Sequence, residues 1–241
     1  MNLKPLVFVV LIFSLVGSSC QKEDMPVYDY RKLGSSGHDI LSDQNYKALE
    51  IQINYMPGYA PADTVLNHFK NYLTQLVKKP VGINIYPALV SPSPVSSPIT
   101  LDEIVSLEKK IRSSFTRSQT MSIHIMIIDA EYQSSDILGI SYWNTSMCVF
   151  GKTVSKFSGR TGLVSKNQLM ITLMEHEMGH LLGLVDQGTP MITSHKSNNG
   201  AHCNNSNCLM YYIIETNSYG NSTVPVLDAN CRNDLTANGG K

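Results

Sequence analysis

The stretch "LMEHEMGHLLGLVDQG", residues 173–188, constrains this chain more than any other feature. His176 and His180 are four apart, so on a helix they stand one above the other, about 5–6 Å between Cβ atoms. Two imidazoles so placed can take adjacent corners of a zinc tetrahedron. Glu177 borders that face without competing for the ion, where it can take a proton from metal-bound water, whose pKa zinc lowers to about 7. The helix has its own start and stop signals. Ser165 with Gln168 three residues on is a capping-box signature, Leu169 and Leu173 share the histidine face, and Gly183 supplies a left-handed C-terminal turn. A catalytic zinc site needs a third protein ligand from beyond the glycine, and Asp186, His195 and His202 are the candidates.

The rest of the sequence sets the context. With 19 basic and 19 acidic residues among 241, and no Lys/Arg-rich run, the chain offers nucleic acid no basic field. "MNLKPLVFVVLIFSLVGSSC" has a Lys in a short leading region and an apolar run from Leu6 to Val16. That run is shorter than the roughly 20 residues a membrane span requires, and it reads as an export signal. Small residues before Cys20 resemble a bacterial lipobox, with Gly17 where Leu is usual. The following "QKED" resembles the acidic tag of some outer-membrane lipoproteins. The expectation is therefore a signal peptide over 1–19 and a lipidated Cys20 opening a Gly/Ser-punctuated flexible tether over 20–45. A plain secretory signal is the alternative. The mature protein would sit on the bacterial outer membrane, facing the periplasm or the cell surface, with the lipid as its only membrane contact.

One catalytic domain is expected over 46–241, with an upper lobe 46–183 and a lower lobe 184–241. "ALEIQINYMPG" alternates Leu49, Ile51 and Ile53 with polar neighbours, as a half-buried strand does. "PADTVLNHFKNYLTQLV" is helical, with Asp63 as a plausible N-cap. "VGINIYPAL" is a strand, "SPSPVSSPIT" a loop, "LDEIVSLEKKIRSSF" a helix and "MSIHIMIIDA" a buried strand. "ILGISYWNTSMCVFGKTV" carries one or two more strands. The tail after 184 is rich in Gly, Asn and Cys and lacks a long periodic segment, so bridges, metal or packing must hold it. The fold class is α+β, a mixed sheet with helices and an irregular C-terminal lobe.

"HEMGHLLG" resembles the metzincin form HExxHxxG. "HCNNSNCLM" at 202–210 has the form H-C-x4-C-x-M, and Asp228 and Cys231 follow with 17 and 20 residues between each and Met210. Together these resemble the archaemetzincin pattern HExxHxxGxxH-C-x4-C-x-M-x17-C-x-x-C, with Asp228 in place of one Cys. The resemblance is specific over 176–231. It differs in placing eighteen residues, not two, between Gly183 and His202, an insertion that costs little extra closure entropy. It implies a metzincin-like zincin domain whose twisted mixed sheet offers an edge strand, here within "GISYWNTSMCVFGKTV", to an extended peptide. It favours His202 as third ligand, with Asp186 the alternative, since a carboxylate also suits zinc. His195 comes third and reads more simply as an exposed loop histidine. The resemblance also makes Met210 the Met-turn residue beneath the metal, while Tyr212, two residues on, could assist an oxyanion.

Cys203, Cys208 and Cys231 with Asp228 could hold a second, structural zinc, as the resembled family does with four Cys. An oxidising exterior instead favours a disulfide, such as Cys203–Cys208, and the balance tilts slightly to a bridge. Cys148, in an apolar strand, reads as a buried thiol. His124 reads as a satisfied histidine, and His38 and His68 carry no signal. The functional expectation is a zinc metalloendopeptidase with Glu177 as general base and a peptide or protein as substrate. A surface zinc-binding or adhesive lipoprotein with little proteolysis is the alternative, disfavoured because zinc binding alone needs no Glu177. A zinc amidase acting on cell-wall peptides would differ only in substrate.

Overall fold

The structure is a computed structural model that describes residues 29–90, 95–134, 136–214 and 223–241. The leader over 1–19, Cys20 and the first part of the tether lie outside these residues. In chain order the elements are α1 (Gly37–Leu41), β1 (Ala48–Tyr55), α2 (Asp63–Leu76), β2 (Gly82–Leu89), α3 (Leu101–Ile111) and β3 (Thr120–Ile128). They continue with β4 (Gly139–Tyr142), β5 (Ser146–Phe150), α4 (Gly151–Lys156), α5 (Lys166–Leu181) and α6 (Ala229–Ala237).

The five strands form one mixed sheet in the order β2-β1-β3-β5-β4, parallel except for β4, which runs antiparallel to β5 at the edge. The pleat divides the core in two. Leu49, Ile51 and Ile53 of β1, with Ile123, Ile125 and Ile127 of β3, pack against Phe69 and Leu73 of α2 and the motif helix α5. Met126 and Ile128 of β3, with Cys148 and Phe150 of β5, face Ile104 and Leu107 of α3 on the other side. A strand covered on both faces needs apolar residues at successive positions, which is why "MSIHIMII" reads as a run and not as an alternation.

The strand over 49–53, the helices and the buried central strand are all present, but β1 is not half-buried, since its polar Gln52 and Asn54 are buried as well. Several local expectations are corrected. The N-cap of α2 is Ala62, with Asp63 already inside the helix. "GISYWNTSMCVFGKTV" divides into β4, β5 and then α4, because the chain turns into helix at Gly151. The described part of 20–45 is not a free tether. Ile40, Leu41 and Tyr46 are in the core, and the buried Lys79 ammonium donates to the carbonyls of Asp39, Ser42 and Tyr46. The polar composition of this segment concealed those few anchors. The lower lobe is not wholly irregular either. Asp228 caps α6 by accepting the Cys231 N–H, and Leu235 carries that helix into the main core.

His124 is a core histidine and not a ligand of the metal group, fully buried with Nε2 2.8 Å from Asn54 Oδ1 and Nδ1 3.4 Å from Glu108 Oε1. Beside it, Glu108 Oε1 accepts from Arg112 at 2.9 Å and from Ser146 at 2.7 Å. Burial alone would raise the Glu108 carboxyl, but hydrogen bonds from His124 and Ser146 outweigh it and hold the group down at about 2. Because that lies below the ordinary 4.5, the unfolded chain takes up the proton first as the pH falls. Glu108 should therefore contribute on the order of 3 kcal/mol near neutrality, lost progressively from about pH 4.5 toward 2. Denaturant melts of wild type and Glu108→Gln across this range should converge in acid, whereas a gap that stays constant would contradict the assignment.

Candidate metal centre

Helix α5 is buried from Leu169 to Leu181, on all sides and not along one stripe. It lies between the sheet and the C-terminal tail, as a core helix does. Ser165 Oγ accepts the Gln168 N–H at 3.1 Å to start it. Its end is a Schellman motif, with Gly183 N–H donating to His180 O and Leu184 N–H to Gly179 O, both at 3.0 Å. Gly183 has φ 81°, and a Cβ there would lie 2.6 Å from the Thr189 nitrogen, so this turn requires glycine.

The turn sends the chain around to bring His202 back to the helix. The rings of His176, His180 and His202 face one another with centroids 4.9, 5.1 and 5.3 Å apart, and one ring nitrogen of each lies within 4.8 Å of the others. His176 Nδ1 is 2.8 Å from Leu209 O, and His202 Nδ1 is 2.7 Å from Asn199 O. A carbonyl can only accept, so each Nδ1 carries the proton and each Nε2 keeps a free lone pair. Burial pushes His176 down to about 4, aided by the His202 ring and opposed by the Leu209 carbonyl. Burial, with both neighbouring imidazoles, also holds His180 well below its ordinary value. Three imidazoles whose ring nitrogens gather this closely are a donor set that fits Zn2+.

Asp186 is not part of this group. It is exposed, with φ 69°, and pairs with Lys196 at 3.2 Å. Glu177 adjoins the three rings, and its buried carboxyl is pushed up to about 7 by burial, with hydrogen bonds from Ser141 opposing the rise. Ser141 Oγ lies 2.8 Å from Glu177 Oε2 and 2.8 Å from its backbone oxygen, linking edge strand β4 to the motif helix. Nothing in the sequence singled out Ser141, because its role comes only from strand β4 crossing α5. The carbonyls of Leu209 and Asn199 were equally invisible, since every residue has one.

A cleft of about 600 Å3 opens over the three histidines and Glu177. Ser141 and Ile140 of β4 form one wall, Leu173 and Phe157 add apolar surface, and Tyr212 stands across, 43% exposed. Met210 is fully buried below the helix, and a Cβ on Gly179 would lie 2.3 Å from its sulfur. The glycine inside "HEMGH", Gly179, is thus a contact requirement.

A second group gathers Cys203, Cys208, Cys231 and Asp228, whose ligand atoms all lie within 4.8 Å of one another. The expected tilt toward a bridge is corrected: all four described cysteines are free, and Cys208 Sγ is 3.7 Å from Cys231 Sγ, far beyond a disulfide bond of about 2.05 Å. The Cys231 thiol donates to Cys208 and lowers it to about 7; burial opposes this, and the backbone N–H groups of Asp228 and Met210 assist. Cys148 is a buried thiol on β5, away from this group and raised by burial. His195 is not an exposed loop histidine. It is 1% exposed and lies against the thiols.

No family model matches the chain, and no curated protein sequence matches it. Among solved structures, archaemetzincin from Methanopyrus kandleri superposes with a TM-score of 0.52 at 12% identity, over 80% of this chain and 96% of that one. The fold is archaemetzincin-like. Metalloproteinase-II from Bacteroides fragilis matches with a TM-score of 0.47 at 16% identity, over 82% of this chain and 54% of that one. In the archaemetzincin-like frame, α5 is the motif helix and β4 the edge strand beside it, as the mixed-sheet reading of the sequence expected.

The Gly179–Met210 contact sets two effects against each other. Gly179→Ala should gain about 1 kcal/mol of helix propensity and lose about 1–3 kcal/mol to overpacking against the sulfur. A net loss in thermal or denaturant stability is expected, shrinking when Met210 is also cut to Ala. Equal effects in both backgrounds would show that the contact is not the cause.

Proposed function

We propose that this protein is a zinc metallopeptidase in which His176, His180 and His202 hold the ion and Glu177 is the general base. The observation that carries this reading is the buried Glu177 carboxyl beside three converging imidazoles, at the floor of an open cleft bounded by an edge strand. A bound Zn2+ would supply a Lewis acid that polarises a carbonyl and makes water acidic near neutral pH.

The chain's own groups account for the remaining steps. Glu177 accepts a proton from the attacking water and passes it to the leaving amine, so the carboxyl must be ionised at the start and regenerated at the end. Its elevated affinity for a proton suits that double duty. Ser141 donates to Glu177 Oε2, and Glu177 lines the cleft. Strand β4 pairs with β5 on one side only, so its outer backbone groups can receive an extended peptide without demanding a particular sequence. Leu173 and Phe157 provide an apolar seat for a substrate side chain. Tyr212 places a phenol donor at the same cleft, where it can stabilise the developing oxyanion. Met210 supports the floor from below without contacting substrate.

We place this activity at the bacterial cell envelope, through export and lipidation of Cys20, on the strength of the leader sequence. Glu177→Gln keeps the size and a hydrogen-bond acceptor but removes the base. Zinc content should remain while cleavage of an unfolded protein falls by about 100-fold or more, and a chelator should stop the wild type. Substantial cleavage by Glu177→Gln, or cleavage indifferent to the chelator, would refute the proposal.

A further inference from the structure

We propose that, in the second metal site that the resemblance implies for the cysteine cluster, the fourth ligand is His195 and not Asp228, with Asp234 orienting its ring. The argument is independent of activity at the histidine site. The sequence positions that marked the cluster, Cys203, Cys208, Asp228 and Cys231, did not include His195.

The geometry fixes the tautomer. His195 Nε2 lies 2.8 Å from Asp234 Oδ2, with both side chains 1% exposed. Asp234 Oδ1 accepts the Ile192 N–H at 2.8 Å, so the carboxylate is held from both oxygens. An ionised carboxylate only accepts, so Nε2 carries the proton and Nδ1 keeps its lone pair. That lone pair faces sulfur: Nδ1 is 3.4 Å from Cys203 Sγ and 3.9 Å from Cys231 Sγ. Carboxylate–histidine–metal alignment of this kind is the usual way a metal-binding imidazole is oriented.

The spacings also fit an ion. Zn–S bonds of about 2.3 Å and Zn–N bonds of about 2.0–2.1 Å place tetrahedral ligand atoms roughly 3.5–3.8 Å apart. Cys208 Sγ and Cys231 Sγ are 3.7 Å apart, and the two His195–sulfur distances fall on either side of the same range. Cys208 Sγ further accepts the backbone N–H groups of Met210 and Asp228, each at 3.4 Å, which favours a thiolate.

Asp228 has other work. Its Oδ1 accepts the Cys231 N–H at 3.0 Å as the cap of α6, and its Oδ2 accepts from Asn205 at 2.9 Å. Oδ2 also lies 3.4 Å from Cys203 Sγ, and by distance Asp228, not His195, completes the group whose ligand atoms all lie within 4.8 Å of one another, so the choice does not rest on distance. What separates the two candidates is that both Asp228 oxygens already hold the surrounding backbone and amide, whereas His195 Nδ1 has only the thiols. Three soft sulfurs also pair better with an imidazole than with a carboxylate. A metal here would pin the 203–210 loop, whose Leu209 carbonyl holds His176 and whose Cys203 adjoins His202.

The test uses the purified, reduced protein loaded with Zn2+, Co2+ or Cd2+. Two metals per chain are expected, one giving thiolate-to-cobalt charge-transfer absorption. His195→Ala should weaken that site by about 10–100-fold, with Asp234→Asn weakening it less. Asp228→Asn, which keeps a capping oxygen, should leave the spectrum intact. Should His195→Ala fail to fold, His195→Cys should restore binding with stronger charge transfer. In the wild type, coupling between spin-active cadmium and the His195 Nδ1 nitrogen should appear by NMR. Loss of the site in Asp228→Asn but not His195→Ala would overturn the proposal. So would absence of that coupling, or a Cys208–Cys231 disulfide that persists under reduction and excludes metal.

Discussion

The hydrogen bond between His176 Nδ1 and the Leu209 carbonyl joins the two halves of the candidate site. The motif helix brings two imidazoles by its own periodicity, but only contact with the tail fixes which way the first ring faces. The same tail segment places Met210 beneath Gly179 and delivers His202 to the remaining corner. Helix α5 is consequently buried on every side, and the site is an internal junction and not a surface attachment. The Schellman turn at Gly183 makes the junction possible, since a helix continuing past that residue would carry the chain away from its own histidines.

Burying the His176 and His180 imidazoles and the Glu177 carboxyl together is costly without a partner. Burial holds His176 and His180 unprotonated and pushes Glu177 toward neutrality, so the cluster has no counter-charge of its own. A divalent cation resolves both difficulties: it needs neutral nitrogen donors, and its field favours the ionised base. Core packing from the parallel sheet and α2 supports this arrangement from behind, which keeps the helix straight and the i, i+4 pair in register.

The parts legible in the sequence are those whose signal is local. Periodicity gave away the strand at Leu49–Ile53, the helix at 166–181 and its glycine stop. Spacing picked out His176, Glu177 and His180, and register across the tail brought forward His202 and Met210. The misses share a cause. Ile40, Leu41 and Lys79 act through contacts between distant segments, so the tether reading of 20–45 missed that Ile40 and Leu41 are core. Ser141 matters because an edge strand crosses the helix, and His195 because Asp234 waits 39 positions later. Helix α6 was hidden by a short polar sequence that Asp228 caps and Leu235 anchors.

The most direct test is zinc affinity, measured by chelator competition, for the wild type, His202→Ala and Asp186→Ala. With three imidazoles at the centre, His202→Ala should lose the site at the histidine helix, while Asp186→Ala, which breaks only a surface pair with Lys196, should bind as the wild type does. Unchanged affinity in His202→Ala, or its loss in Asp186→Ala, would contradict the account.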